Sequence, residues 1–216
     1  MKVSRPLLAG VVVVLVAAFV FGANWYRGRD TSTSSSAASP GADPDRLIRP
    51  SSISLGPASA PVTMVEFFDP ECEACRAMYP IVKQVMAEFD GRVRLVIRYM
   101  PLHGNSAYAA SLLEAARAQN KYWEYLDVVM ARQPEWASHA APRPDLLLTY
   151  APSAGLDVEQ LRIATTDPEI KSRIQQDQAD GMALGANRTP TFFINGTMLM
   201  QLGYAPLRAA IERALE

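Results

Sequence analysis

The chain holds two cysteines among its 216 residues, Cys72 and Cys75, spaced C-x-x-C. If a helix begins at this point, the spacing places the second thiol one turn beyond the first, close enough for the two sulfurs to bond. At a helix start, free backbone N–H groups and the macrodipole favour an anion, so Cys72 is positioned to be a thiolate. Helix-start cysteines reach pKa values of roughly 3.5–7.5. Cys75, shielded one turn later, is placed to attack a mixed disulfide formed at Cys72. One pair cannot build the disulfide framework of a small secreted scaffold, and its loop is too short to restrict the unfolded chain much. The chemistry open to these residues is therefore thiol–disulfide exchange. It requires that Cys72 be reachable.

Positioning that pair takes a strand before it and a helix after it. Val62 to Phe68 is β-branched and aromatic, bounded by Pro61 and Asp69-Pro70, and predicts a central strand. From Met78, apolar residues at 78, 81, 82, 85, 86 and 89 repeat at helical spacing. Gly91 is a natural stop, and Pro80 is expected to kink the helix. Val93, Leu95, Ile97 and Tyr99 alternate with Arg94, Val96, Arg98 and Met100, predicting a second strand and a βαβ unit with a parallel pair.

A helical stretch without strand signal runs from Ser106 to about Leu184, with helix starts at Asp157 and at Asp167-Pro168-Glu169. Thr191–Ile194 and Thr197–Met200 flank Asn195-Gly196, the strongest short hairpin signal. Pro206 to Leu215 predicts a last helix. Tyr122, Trp123 and Tyr125 are expected in the core or a groove wall.

Toward the N-terminus, Leu7–Tyr26 carries no charge and is long enough to span a bilayer, with Trp25 and Tyr26 as interfacial aromatics. It is read as an uncleaved anchor within residues 1–29 rather than a signal peptide, since Phe21 spoils the cleavage pattern. Residues 30–45 are Ser/Ala/Pro/Gly-rich and predict a flexible linker. Arg46–Ile53 is expected as an edge strand, leaving residues 46–216 as the folded domain. Flanking charges tie, so orientation comes from chemistry: a disulfide-exchanging pair persists in an oxidising compartment. The expected arrangement is a single-pass protein of a bacterial inner membrane with its domain in the periplasm or extracytoplasmic space. A net charge of −1, with acids and bases interleaved, excludes a nucleic-acid surface.

With Glu66-Phe67-Phe68, Cys72-x-x-Cys75, Pro101-Leu102-His103 and Thr189-Pro190-Thr191-Phe192-Phe193-Ile194-Asn195-Gly196 in place, the chain resembles the thioredoxin-fold oxidoreductases of the DsbA-like branch. The resemblance covers about Ile48 to Glu216. It implies an α/β thioredoxin-like fold with an inserted helical domain at about 105–184, and a thiol:disulfide oxidoreductase. It also implies that Glu66 is a buried acid shuttling the proton of Cys75, and that Pro190 follows a cis bond facing the cysteines. Thr189 and Pro190 would then hold an extended substrate peptide as an added strand.

The implied partners are protein thiols and disulfides and a membrane redox partner. No cofactor is expected beyond the Cys72–Cys75 disulfide, and no metal. Glu73-Ala74, the dipeptide that tunes the pair, lacks the histidine typical of strongly oxidising members. Asp69, Glu71 and Glu73 surround Cys72, with Arg76 the one nearby base. Each exposed acid at about 7 Å contributes roughly 0.6 kcal/mol, under half a pKa unit. That predicts a weaker oxidant. Disulfide formation is the favoured direction; a reductase or isomerase kept reduced by a membrane donor, or a Cu(I) metallochaperone, is the alternative. His103 and His139 fit no compact zinc site with the cysteines and His103 is expected to cap the following helix; Met198 and Met200 read as packed strand residues rather than a copper site.

Overall fold

The structure, a computed structural model, describes residues 42–216. The expected anchor at 7–26 and residues 30–41 of the expected linker lie outside the described residues. Among the described residues, no helix is long and apolar enough to cross a membrane.

The first element departs from expectation. Pro44–Leu47 is a short helix (α1), not the end of a linker and the start of a strand. Asp43 caps it by accepting from the Asp45 N–H at 3.1 Å, and Pro44, in the first turn, lacks only an N–H that a helix start leaves unpaired anyway. The edge strand comes later and is shorter, at Ile53–Leu55 (β1). Next follow Val62–Phe68 (β2), Glu73–Glu88 (α2) and Val93–Tyr99 (β3), as periodicity predicts. Pro80 lies within α2, and Gly91 takes a left-handed φ of 73° in the turn after it.

The inserted helices are Ser106–Ala118 (α3), Tyr122–Ala131 (α4), Gln133–Trp136 (α5), Asp145–Tyr150 (α6), Val158–Ala164 (α7) and Pro168–Ala183 (α8). Both predicted caps form: Asp157 accepts from the Gln160 N–H at 2.9 Å, and Asp167 from the Glu169 N–H at 2.8 Å. Thr191–Ile194 (β4) and Thr197–Met198 (β5) make the hairpin, with Asn195 and Gly196 both at positive φ, before Tyr204–Ala214 (α9).

The sheet runs β1-β3-β2-β4-β5, with β2 and β3 parallel and the other pairs antiparallel. This is an α/β thioredoxin-like fold with a helical insertion. Alternation along the strands divides the interior in two. Met64, Phe68, Leu95, Ile97, Tyr99 and Phe192 face one way, into the core shared with α2, α9 and most of the insertion. Val65, Phe67, Val96 and Phe193 face the other, against Leu47 and Met100. Glu66 shares the parity of Met64 and Phe68, so its carboxyl projects to the side where α2 carries the cysteines.

Arg98 is fully buried on the second face, where strand alternation alone predicts an exposed base. It donates to Asp177 and Asp180 of α8, both at 2.7 Å, and to the carbonyls of Arg46 and Leu47. One guanidinium thereby joins α1, β3 and α8. Close by, Gly181 lies flat on β2: a Cβ there would come within 2.8 Å of the Phe67 ring and 3.2 Å of the Met100 sulfur. Gly181→Ala should cost about 1–3 kcal/mol of unfolding free energy, because the ring has no room to withdraw. Chemical denaturation giving an unchanged midpoint would show that the helix can shift away instead.

Candidate active site

Cys72 is the N-cap of α2, with extended backbone (φ −75°, ψ 124°), so its side chain stands at the mouth of the helix while its carbonyl accepts the Arg76 N–H. The two sulfurs are not bonded to each other in this structure. Both cysteines are buried, Cys72 keeping 7 % of its surface and Cys75 none, which corrects the expectation of an open Cys72 and leaves it the one of the two sulfurs with any access. Its thiol donates to the Thr189 carbonyl at 3.4 Å. The Thr189-Pro190 bond is cis and Pro190 is buried, so the two segments that the sequence singled out meet across the end of the sheet.

The electrostatics separate the two thiols. Cys72 is drawn down to about 5, first by a hydrogen bond from the Cys75 thiol. Burial opposes this, and the Thr189 hydroxyl and the N–H groups of Cys75 and Ala74 add to it. The helix start contributes, as expected, but the partner thiol contributes more. Cys75 is pushed well above the ordinary thiol value, first by burial and then by its bond to Cys72 and the charge of Glu66. One sulfur is built to be charged at neutral pH and the other to hold its proton.

Glu66 is 3 % exposed and raised to about 8, chiefly by desolvation and secondly by the Cys72 charge. It is a buried acid coupled to both sulfurs, not a solvent-facing one. Glu73 and Ala74 are exposed on the first turn of α2. The Glu73 carboxyl is held below its usual range, first by its own backbone N–H and then by His139, whose Nε2 lies 2.7 Å from Glu73 Oε1.

Sequence reading missed the groups that fix the turn before Cys72. Asp69 is fully buried and accepts from the N–H groups of Glu71 and Leu102, both at 2.8 Å, and from the Ser106 hydroxyl. Its own N–H donates to Cys75 Sγ at 3.5 Å. Glu71 accepts from the Asn105 backbone at 2.6 Å and side chain at 2.9 Å. Gln133, from α5, donates to the carbonyls of Pro70 at 2.7 Å and Cys72 at 3.0 Å. Two of the three acids read as exposed charges around Cys72 are thus buried and hydrogen-bonded. His103 is also corrected: Asn105 occupies the N-cap of α3, and His103 Nδ1 instead lies 2.7 Å from Asp69 Oδ2. The Asp69-Pro70 and Pro101-Leu102-His103 stretches were visible as motifs; nothing in the sequence pointed to Gln133. Among the described residues no three His, Cys, Asp or Glu side chains cluster as metal ligands.

A family model described as Thioredoxin matches residues 49–213. A thioredoxin-like oxidoreductase from Silicibacter pomeroyi DSS-3 is 32 % identical with a TM-score of 0.70, covering 81 % of this chain and 98 % of that one. Wolbachia pipientis alpha-DsbA1 shares the fold at 20 % identity and a TM-score of 0.70, over 78 % of this chain and 92 % of that one. A Na(+)/H(+) antiporter NhaA of Herminiimonas arsenicoxydans is 34 % identical over 203 residues, 91 % of this chain. The chain spans only 31 % of that antiporter's length.

Proposed function

The chain belongs to the thioredoxin family, and from that premise we propose that it is a DsbA-like thiol:disulfide oxidoreductase that exchanges disulfides with protein substrates through Cys72 and Cys75, outside the cytoplasm and in the direction of disulfide formation. In the oxidised enzyme a substrate thiolate attacks Cys72, the Cys72–Cys75 bond breaks, and Cys75 leaves carrying the electron pair, which Glu66 protonates. A second substrate thiolate then attacks the substrate sulfur of the mixed disulfide. The substrate departs with a new disulfide and Cys72 leaves as a thiolate. Run backwards, the same groups reduce a substrate, with Glu66 taking the Cys75 proton.

The observation carrying this reading is the 3.4 Å contact between Cys72 Sγ and the Thr189 carbonyl beside cis-Pro190. It sets the reactive sulfur against a backbone segment beside which an extended substrate peptide can lie as an added strand. A low thiolate pKa favours formation over reduction, because stabilising the leaving thiolate stabilises the reduced enzyme and makes its disulfide the stronger oxidant. Anchorage through residues 7–26, and exchange with a membrane redox partner that reoxidises the pair, belong to the same proposal.

Alkylation of free thiols in intact cells tests the direction. An oxidase in steady state holds the pair mostly as disulfide; a pair found mostly as dithiol would make the enzyme a reductase or isomerase and reverse the assignment.

A further inference from the structure

The chain has two histidines, and folding brings both to the Cys72 turn, with ring centroids 6.1 Å apart. They arrive from separate segments, His103 after β3 and His139 after α5. Each meets a different acid that flanks Cys72: His103 Nδ1 lies 2.7 Å from Asp69 Oδ2, and His139 Nε2 lies 2.7 Å from Glu73 Oε1. We propose that His103 and His139 are positioning residues that supply, through space, the positive charge missing between the cysteines, and so set how strongly the reduced form is favoured. The proposal rests on the exchange reading above.

The charged and titratable groups facing this pair are Asp69, Glu71, Cys72 and Glu73. Alone, three carboxylates and a thiolate would repel one another, and the thiolate would be the form to yield. Charged imidazoles would make Asp69–His103 and Glu73–His139 neutral pairs, leaving Glu71, which Asn105 holds by two hydrogen bonds, as the one unneutralised carboxylate of the three. Burial works against a charged His103, but Asp69, and then the Cys72 and Glu71 charges, outweigh it and hold its proton more tightly than usual. His103 is part-buried, whereas His139 is exposed, so salt should weaken the contribution of His139 more.

The test is titration of thiolate absorbance in the reduced full-length protein, alongside its redox equilibrium with glutathione. His103→Gln and His139→Gln should each move the Cys72 midpoint up by about half a pH unit, and the double variant by about one. The double variant's equilibrium should shift up to about tenfold toward the disulfide. His103→Lys, which keeps a charge, should restore most of the His103 part, a rescue that a purely structural role would not give. Unmoved midpoints in both single variants and the double would overturn the proposal. Wild-type protein that fails to exchange with glutathione would count instead against the functional reading, and the titration, which needs no substrate, would still judge the histidines.

Discussion

Cys72→Ser should abolish exchange with peptide thiols and disulfides, lowering the rate by about 10³-fold or more, while Cys75→Ser should leave the first attack intact and trap mixed disulfides. The two thiols are not interchangeable. Cys72 has a pKa of about 5, so at pH 7 it is almost wholly thiolate. Cys75 is completely covered and its thiol is pushed well above the ordinary value. With Cys72 gone, the remaining sulfur is protonated and unreachable. With Cys75 gone, the nucleophile survives but loses the thiol that bonds to it, and its own pKa should rise. The rate of first attack in the wild type should be flat above about pH 6 and fall with a midpoint near 5. Rapid-quench alkylation with mass spectrometry reads both results. Mixed disulfides on Cys75 in the Cys72→Ser protein would reverse the roles.

Glu66→Gln should stabilise the reduced protein and at the same time slow exchange. The folded carboxyl titrates at about 8 against an ordinary 4.5. A raised acid contributes no penalty below its unfolded pKa, and stability is lost as pH rises from about 4.5 through 8. The amide has no proton to lose, so the variant should gain on the wild type across that window, by about 3–5 kcal/mol at pH 8 and above. Below pH 4 the two should coincide. Cys72 acts in the opposite sense: its depressed pKa of about 5, against 9.0, adds stability that is complete above 9.0 and lost as pH falls toward 5. The wild-type profile is therefore flatter than either group alone would give, and the difference between variant and wild type isolates Glu66.

In kinetics, Cys75 must lose a tightly held proton before it can displace a captured substrate sulfur. Removing the buried carboxyl whose charge acts on Cys75 should slow that resolution by about 10²-fold or more. An unchanged resolution rate alongside the expected stability gain would leave Glu66 as a buried acid without a relay role.

Much of the scaffold was legible because it rests on local periodicity. The strand before the cysteines, the helix after them, the alternating second strand, the capped helices of the insertion and the Asn195-Gly196 hairpin all follow from patterns a few residues long. The errors arose where a short signal sat in a misleading background, as with Asp43-Pro44, a helix start inside a Ser/Pro/Gly-rich stretch. Arg98 reads as a solvent-facing strand residue, and only the arrival of Asp177 and Asp180 on one face of α8 makes its burial tolerable.

The sequence by itself determined the proposed reacting pair, a lone C-x-x-C on a strand-to-helix turn, while Glu66 and the Thr189-Pro190 segment came from the family resemblance. The C-x-x-C spacing is covalent, and no fold can alter it. The tertiary structure decided how those atoms are charged. Asp69, Glu71 and Glu73 read as three bare acids crowding Cys72; folding buries two of them and sets a histidine against Asp69 and another against Glu73. Coulomb energy depends on distance and solvation, and both are fixed by contacts between segments that the sequence keeps far apart.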